Sequence, residues 1–292
     1  MKANKSIVLL LIVVMFFWAL CYPLILLGLD YSPHITFAAM RASAAGAIML
    51  LLATILGRKH PQDFKIWFAL FLIGVGATAL GFYGMFHASE FVKPGLATVV
   101  TNIQPLLTAV FASMFLREKI PNSGKFGLFL GFVGVLIIVY SSWINNGSST
   151  AGLSGLFYLG LAVSNILIKK IIGKIDVLIA MGWQLLLGGL ILWVMALNTE
   201  KFSDVVWSNE FIASLLGLVL LGTVLVYWLW FAILEKTTLN YANSFAYLVP
   251  VFGISMGVIF YQETFSIQTF IGITIIILGI SININPNQSK QI

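Results

Sequence analysis

Residues 105–134 read PLLTAVFASMFLREKIPNSGKFGLFLGFVG, and residues 250–279 read PVFGISMGVIFYQETFSIQTFIGITIIILG. Each stretch begins on a proline inside an apolar run, reaches a glutamate thirteen residues later and continues into a series of glycines. Pro105 and Pro250 stand 145 residues apart, as do Glu118 and Glu263. The same offset relates Thr78 to Thr223, Phe86 to Phe231, Glu90 to Glu235, Ala97 to Ala242, Gly127 to Gly272 and Gly134 to Gly279. It slips to 143 for Gly46 with Gly189 and for Arg41 with Gln184, which a two-residue gap in a loop explains. One offset shared by proline, glutamate and glycine positions marks a duplicated unit, with copies expected at 1–145 and 150–292.

Composition sets the solvent around these copies. Of 292 residues, 60% are hydrophobic and 9% charged, with a mean hydropathy of +1.02, whereas a soluble domain carries roughly 25% charged residues. Most of this chain must therefore face lipid. A hydrocarbon core about 30 Å thick is crossed by about 20 apolar residues at 1.5 Å each. Ten segments qualify: 7–28, 33–56, 65–87, 94–116, 122–142, 152–173, 177–197, 209–232, 239–261 and 266–284. The first follows Lys2 and Lys5 as a signal peptide would, but it exceeds a typical h-region and no small-x-small cleavage site follows. Trp18 and Leu20 are also too bulky for a lipoprotein box before Cys21, so a retained helix is expected.

Assigning loops alternately to two sides places Lys2, Lys5, Arg58, Lys59, Lys65, Arg117, Lys119, Lys125, Lys169, Lys170, Lys174, Lys236 and Lys290 together, against Lys93 and Lys201. The positive-inside rule then puts both termini in the cytoplasm. Five helices per copy is an odd number, so the second copy enters from the opposite side. The expected fold is an all-α membrane protein of ten transmembrane helices in two inverted five-helix repeats, multi-pass in the inner (cytoplasmic) membrane. Inverted repeats of this kind are typical of carriers that work by alternating access.

Several classes are disfavoured. The net charge of +6 is spread singly or in pairs between apolar segments, so it reads as topology and gives no nucleic-acid surface. A lone cysteine, Cys21, supports neither a disulfide framework nor a thiolate metal site. The phosphate-cradling glycine loop, His-Glu-x-x-His and Gly-x-Ser-x-Gly are missing, so no cofactor, metal, catalytic residue or enzyme activity is expected. An intramembrane enzyme acting on lipid would have His87 with Glu90 as its nearest constellation. No Asp or Glu lies deep in any expected helix.

The helix-four proline followed by Arg117-Glu118-Lys119, then Gly127, Gly131 and Gly134, recurs in the second copy as Pro250, Gln262-Glu263-Thr264, Gly272 and Gly279. With Phe17-Trp18-Ala19 in the first helix and Arg41 in the second, the chain resembles the drug/metabolite transporter superfamily, in its ten-helix EamA branch, over almost its whole length. It departs from that pattern at Ala19 and Tyr22, where glycine and a small polar residue are common. The resemblance implies export or exchange of small metabolites such as amino acids. Efflux of hydrophobic amines or drugs is the runner-up. Small multidrug-resistance cousins exchange protons on a first-helix carboxylate that this chain lacks, and one buried arginine is little to neutralise the diphosphate of a nucleotide sugar.

The candidate site comes from polar and aromatic residues inside the helices. Thr98, Thr101, Asn102, Pro105 and Thr108 share a face of helix four, and Asn243, Tyr247 and Pro250 repeat that stripe in helix nine. Polar stripes in lipid face protein or a water-filled cavity, and each proline leaves a carbonyl unpaired, which suits a hinge. Trp18 with Tyr22 in helix one, Tyr83 in helix three, Asn165 in helix six, Gln184 beside Trp183 in helix seven and Tyr227 near Trp230 in helix eight complete the expected substrate-binding set. Threonines and interior aromatics suit helix packing equally. Arg41 lies eight residues into helix two and its repeat partner is uncharged Gln184, so it is expected to hold a substrate carboxylate, or else to snorkel outward or tie down helix-end carbonyls. Glu118 and Glu263 are expected to open the helix that follows each, at the positive end of its dipole. Trp67, Trp143, Trp193 and Trp207 fit an interfacial belt. The Gly127-to-Gly131 spacing suits close helix contact within the chain or a homodimer face. The expected partners are the lipid bilayer and a small-molecule substrate.

Overall fold

A computed structural model of the chain describes residues 5–91, 104–118, 120–146, 150–262 and 266–283, and the described residues form helices and no strand. In chain order these are α1 (Lys5–Leu29), α2 (His34–Ile55), α3 (Phe64–Ile73, Gly74–Leu80, Gly81–Phe91), α4 (Gln104–Phe115), α5 (Asn122–Asn146), α6 (Thr150–Ile171), α7 (Val177–Thr199), α8 (Asn209–Lys236), α9 (Leu239–Tyr261) and α10 (Ile267–Asn283). Leu-, Ile-, Ala- and Phe-rich runs propagate these helices, and short polar residues start them. Asp63, Asp176, Ser208 and Thr238 each accept a hydrogen bond from a backbone N–H of the turn they open, at α3, α7, α8 and α9. Each thereby pairs one of the donors that a helix start leaves unmet.

Among the described residues, α1, α2, Phe64–His87 of α3, α7, α8 and α9 are long and apolar enough to cross a bilayer, and α5 and α10 contain shorter apolar stretches. Leu51, Ile55, Leu190, Leu197, Ile259 and Phe260 stand exposed on the outside. Water would penalise such a surface and lipid does not, so this is a multi-pass membrane protein.

The halves meet along glycine seams. A methyl group built on Gly134 would lie 2.6 Å from the Gly272 carbonyl oxygen, one on Gly272 2.7 Å from that of Gly134, and one on Gly279 2.6 Å from that of Gly127. The backbones of α5 and α10 therefore touch, as small residues in lipid permit. Gly127 is the repeat counterpart of Gly272, and Gly134 of Gly279, so the two contacts are one contact with its roles exchanged. This crossing fills the Gly127–Gly131 face from within the chain. Helices α2 and α7 cross in the same way: a methyl on Gly46 would lie 2.9 Å from the Gly182 carbonyl oxygen.

Carboxylates pin the ends of these helices to the other half. Glu200 accepts from Ile35 N at 2.9 Å and Thr36 N at 2.7 Å, so it caps α2 from the end of α7. At the opposite end, Arg58 Nε lies 3.4 Å from Asp176 Oδ2, at the start of α7. Glu118 does meet a helix N-terminus, though not the expected one. It accepts from Leu239 N at 2.9 Å and Asn240 N at 3.0 Å, opening α9 in the other half instead of α5. Arg117 adopts φ 55°, and this left-handed residue ends α4 sharply just before the carboxylate.

Three helices are irregular in their interiors. α3 widens into a π turn at Gly74–Leu80 and α8 does so at Leu220–Leu225. Shifted by the 145-residue offset, residues 75–80 fall on 220–225, so the two interruptions are equivalent. α9 tightens into a 3₁₀ turn at Phe245–Tyr247. Pro250 follows, and it has no N–H to offer the Ala246 carbonyl four residues back.

Candidate functional site

The irregular turns converge on a cavity of about 110 Å³. Its walls are Trp18 and Tyr22 from α1, Arg41 from α2, Ala77, Gly81, Phe82 and Met85 from α3, and Leu161, Asn165 and Ile168 from α6. Met181 and Gln184 from α7, Tyr227 and Trp230 from α8, and Ala246 and Val249 from α9 complete it. Both π turns and the proline-broken turn of α9 thus contribute residues to the cavity or to the groups that line it.

Arg41 is 1% exposed. Its Nε donates to Thr223 Oγ1 at 2.9 Å and its Nη2 to the Gly222 carbonyl at 3.1 Å, both in the π turn of α8. Sulfur supplies the other acceptors, Cys21 Sγ at 3.4 Å from Nη2 and Met85 Sδ at 3.6 Å from Nη1. The guanidinium carbon lies 4.3 Å from the Phe82 ring centre. Sulfur accepts weakly, and no carboxylate pairs with Arg41 among the described residues. A charge at this depth costs about 2.5–3.5 kcal/mol even on permissive insertion scales. Aromatic and neutral partners offset part of that cost and leave the positive charge unneutralised.

The repeat counterpart of Arg41 makes the mirrored contact. Gln184 is fully buried and its Oε1 accepts from Thr78 Oγ1 at 2.7 Å, in the π turn of α3. Arg41 of the first half thus holds Thr223 of the second, while Gln184 of the second holds Thr78 of the first. Thr223 also donates to the Leu218 carbonyl at 2.8 Å, five residues back and just before the π turn. Gln184 Nε2 has no hydrogen-bond partner among the described residues.

Of the residues expected from sequence, Trp18, Tyr22, Arg41, Asn165, Gln184 and Tyr227 line the cavity together. Tyr83, Asn243 and Tyr247 are not part of its lining. Tyr83 stacks on His87 at 5.3 Å and approaches His34 at 6.0 Å. Asn243 Nδ2 donates to the Pro105 carbonyl at 3.4 Å. Tyr247 inserts its ring over Gly131, and its hydroxyl donates to the Leu128 carbonyl at 3.3 Å. Both are buried joints between α9 and the first half, and at Tyr247 the missing side chain of Gly131 leaves room for the ring. Trp183, expected on an interior wall beside Gln184, packs instead on Trp67 at 5.0 Å and donates to His60 Nδ1 at 3.0 Å. Thr98, Asn102 and Glu263 lie outside the described residues, as do the side chains of Glu90 and Trp143.

Sequence reasoning missed Phe82, Met85, Leu161, Ile168 and Met181, since an apolar wall of a cavity carries no signal that separates it from packing. It also missed that Thr78, a repeat position, and Thr223, expected near the face of helix eight that carries Tyr227 and Trp230, meet Gln184 and Arg41. Nothing in the apolar runs around Gly74-Val75-Gly76 and Gly222-Thr223 marks a π turn in the sequence.

Comparison with known proteins agrees with this geometry. The sequence model of the EamA-like transporter family matches residues 5–140 and again residues 151–285. An uncharacterized transporter of Bacillus subtilis, YvbV, is 27% identical over 99% of this chain and 94% of its own length. A probable amino-acid metabolite efflux pump of Salmonella typhimurium is 27% identical over 97% of this chain and 96% of its own. A solved crystal structure superposes with a TM-score of 0.76 at 15% identity, covering 99% of this chain and all of the other, and so shares the fold. With a family match across both halves, the chain belongs to the EamA-like transporter family.

Proposed function

We propose that this transporter is a secondary carrier of the inner membrane that exports or exchanges small carboxylated metabolites, amino acids among them. It has ten transmembrane helices in two inverted five-helix units with both termini cytoplasmic, and it alternates access to the cavity by rocking one unit against the other. The observation that carries the reading is Arg41. It is a buried positive charge at the wall of an otherwise aromatic and aliphatic cavity, with no carboxylate partner among the described residues. A ligand carboxylate would complete it. Trp18 and Trp230, with ring centres 5.1 Å apart, and Tyr22 and Tyr227 would hold an apolar or aromatic body.

The exchanged contacts support alternating access. Arg41 with Thr223 and Gln184 with Thr78 join the halves on both sides of the cavity, and each ends on a π turn. Such turns break the regular helix ladder and so give α3 and α8 places to bend. Amino-acid metabolite efflux by the Salmonella relative points to the same cargo. The direct test is uptake into proteoliposomes holding the purified protein, against a panel of labelled amino acids, nucleosides and cationic dyes. Saturable uptake of the carboxylates alone is expected. Uptake of the dyes alone would replace this cargo with hydrophobic amines.

A further inference from the structure

Gln184 and Asn165 are the two amides of the cavity wall, and both have their oxygen engaged. Thr78 Oγ1 donates to Gln184 Oε1 at 2.7 Å, and Trp230 Nε1 donates to Asn165 Oδ1 at 3.4 Å. Fully buried Gln184 keeps Nε2 without a partner among the described residues. Arg41 adds N–H groups whose remaining partners are sulfur atoms. Apart from the Tyr22 and Tyr227 hydroxyls, which can donate or accept, the polar groups of the described lining offer donors, and no carboxylate stands among them. A buried donor left unmet is costly, and so is an ammonium stripped of water and placed beside other N–H groups.

We propose that the site selects small organic anions whose second polar group is a hydrogen-bond acceptor, so that a 2-oxo acid with an apolar side chain is preferred to the matching amino acid. The carboxylate meets Arg41, the oxo oxygen accepts from Gln184 Nε2, and Thr78, by engaging the amide oxygen, leaves the nitrogen to be met by the ligand. An amino acid presents an ammonium where the oxo acid presents an acceptor, so it gains the Arg41 contact and loses the Gln184 contact. This inference rests on the cavity being the substrate site.

The test uses the full-length protein in detergent and in proteoliposomes. Intrinsic tryptophan fluorescence, to which Trp18 and Trp230 in the wall contribute, is titrated with phenylpyruvate, phenylalanine and phenethylamine, and uptake of the same compounds is measured in parallel. Phenylpyruvate is expected to bind about tenfold more tightly than phenylalanine, the equivalent of one buried hydrogen bond. Gln184→Leu should collapse that ratio, and Gln184→Glu should reverse it by placing an anion where the donor stood. Equal or tighter binding of phenylalanine to the unmodified protein overturns the inference while leaving carriage of carboxylates intact. An unchanged ratio in a folded Gln184→Leu protein overturns it as well. Failure of all three compounds both to bind and to be taken up removes the substrate site itself, and the inference with it.

Discussion

Arg41 carries a full charge into a wall of aromatic rings, sulfur and aliphatic carbon, and its bonds to Thr223 and Gly222 explain how the fold keeps it there. If its free edge receives a carboxylate, Arg41→Gln should weaken transport of a free acid by about ten- to a hundredfold, the range for a lost charged hydrogen bond. A methyl ester of the same compound should be affected little. Equal loss for acid and ester, measured in proteoliposomes, would make Arg41 a purely structural joint to the α8 π turn. Glu118 is the opposite kind of charge, held at a helix end where N–H groups answer it. Glu118→Ala should lower stability by about 1–2 kcal/mol, as loss of a helix cap does, read as a reduced unfolding midpoint in detergent. Substrate affinity should stay unchanged. Sequence alone made Arg41 conspicuous, since it is a lone charge inside an apolar run. It could not show which helix Glu118 would cap, because that depends on how Arg117 turns the chain.

At the level of elements, the breaks in the helices matter more than the helices. The 3₁₀ turn at Phe245–Tyr247 precedes Pro250, and the carbonyl to which Pro250 cannot give the usual helical hydrogen bond belongs to Ala246, a cavity residue. We predict that Pro250→Ala, by restoring that N–H, straightens α9 and slows turnover severalfold while substrate affinity in binding assays changes little. A parallel loss from Pro105→Ala would place the two prolines in equivalent roles. Unchanged turnover with both replaced would make them packing features. Helix limits were legible because apolar runs of the right length allow few other readings, and the described ends fall within a few residues of those expected, while the start of the 94–116 segment lies outside the described residues. The π turns were not legible: Gly74, Gly76 and Gly222 sit in otherwise regular apolar runs, and their partners across the interface decide the local geometry. For the same reason Asn243 and Tyr247 looked like cavity residues. Their polar atoms meet backbone carbonyls of the first half, which a helical stripe in one sequence cannot show.

Across the whole molecule, the repeat, offset by 145 residues at the glycines and threonines and by 143 at Arg41 and Gln184, reappears as pairs of contacts with roles exchanged: Gly127 with Gly279 and Gly134 with Gly272, Arg41 with Thr223 and Gln184 with Thr78. A twofold relation between two copies produces such pairs. The proposed inverted topology is testable with fused reporters: those after Asn4 and after Gln288 should report the cytoplasm, and one at Gly147 the outside. An external reporter after Gln288 would contradict an even number of crossings. The scaffold is symmetric while the cavity is not, because Arg41 faces its counterpart Gln184, and that difference gives the cavity its net positive charge. Carriage of carboxylates through this charged cavity is the central claim, and exchange in proteoliposomes tests it most directly. Vesicles preloaded with an unlabelled amino or oxo acid and diluted into the labelled compound should accumulate label transiently, faster than unloaded vesicles, and Arg41→Gln should abolish the acceleration. Uptake no faster than in protein-free vesicles for every carboxylate, or undiminished exchange by Arg41→Gln, would contradict it.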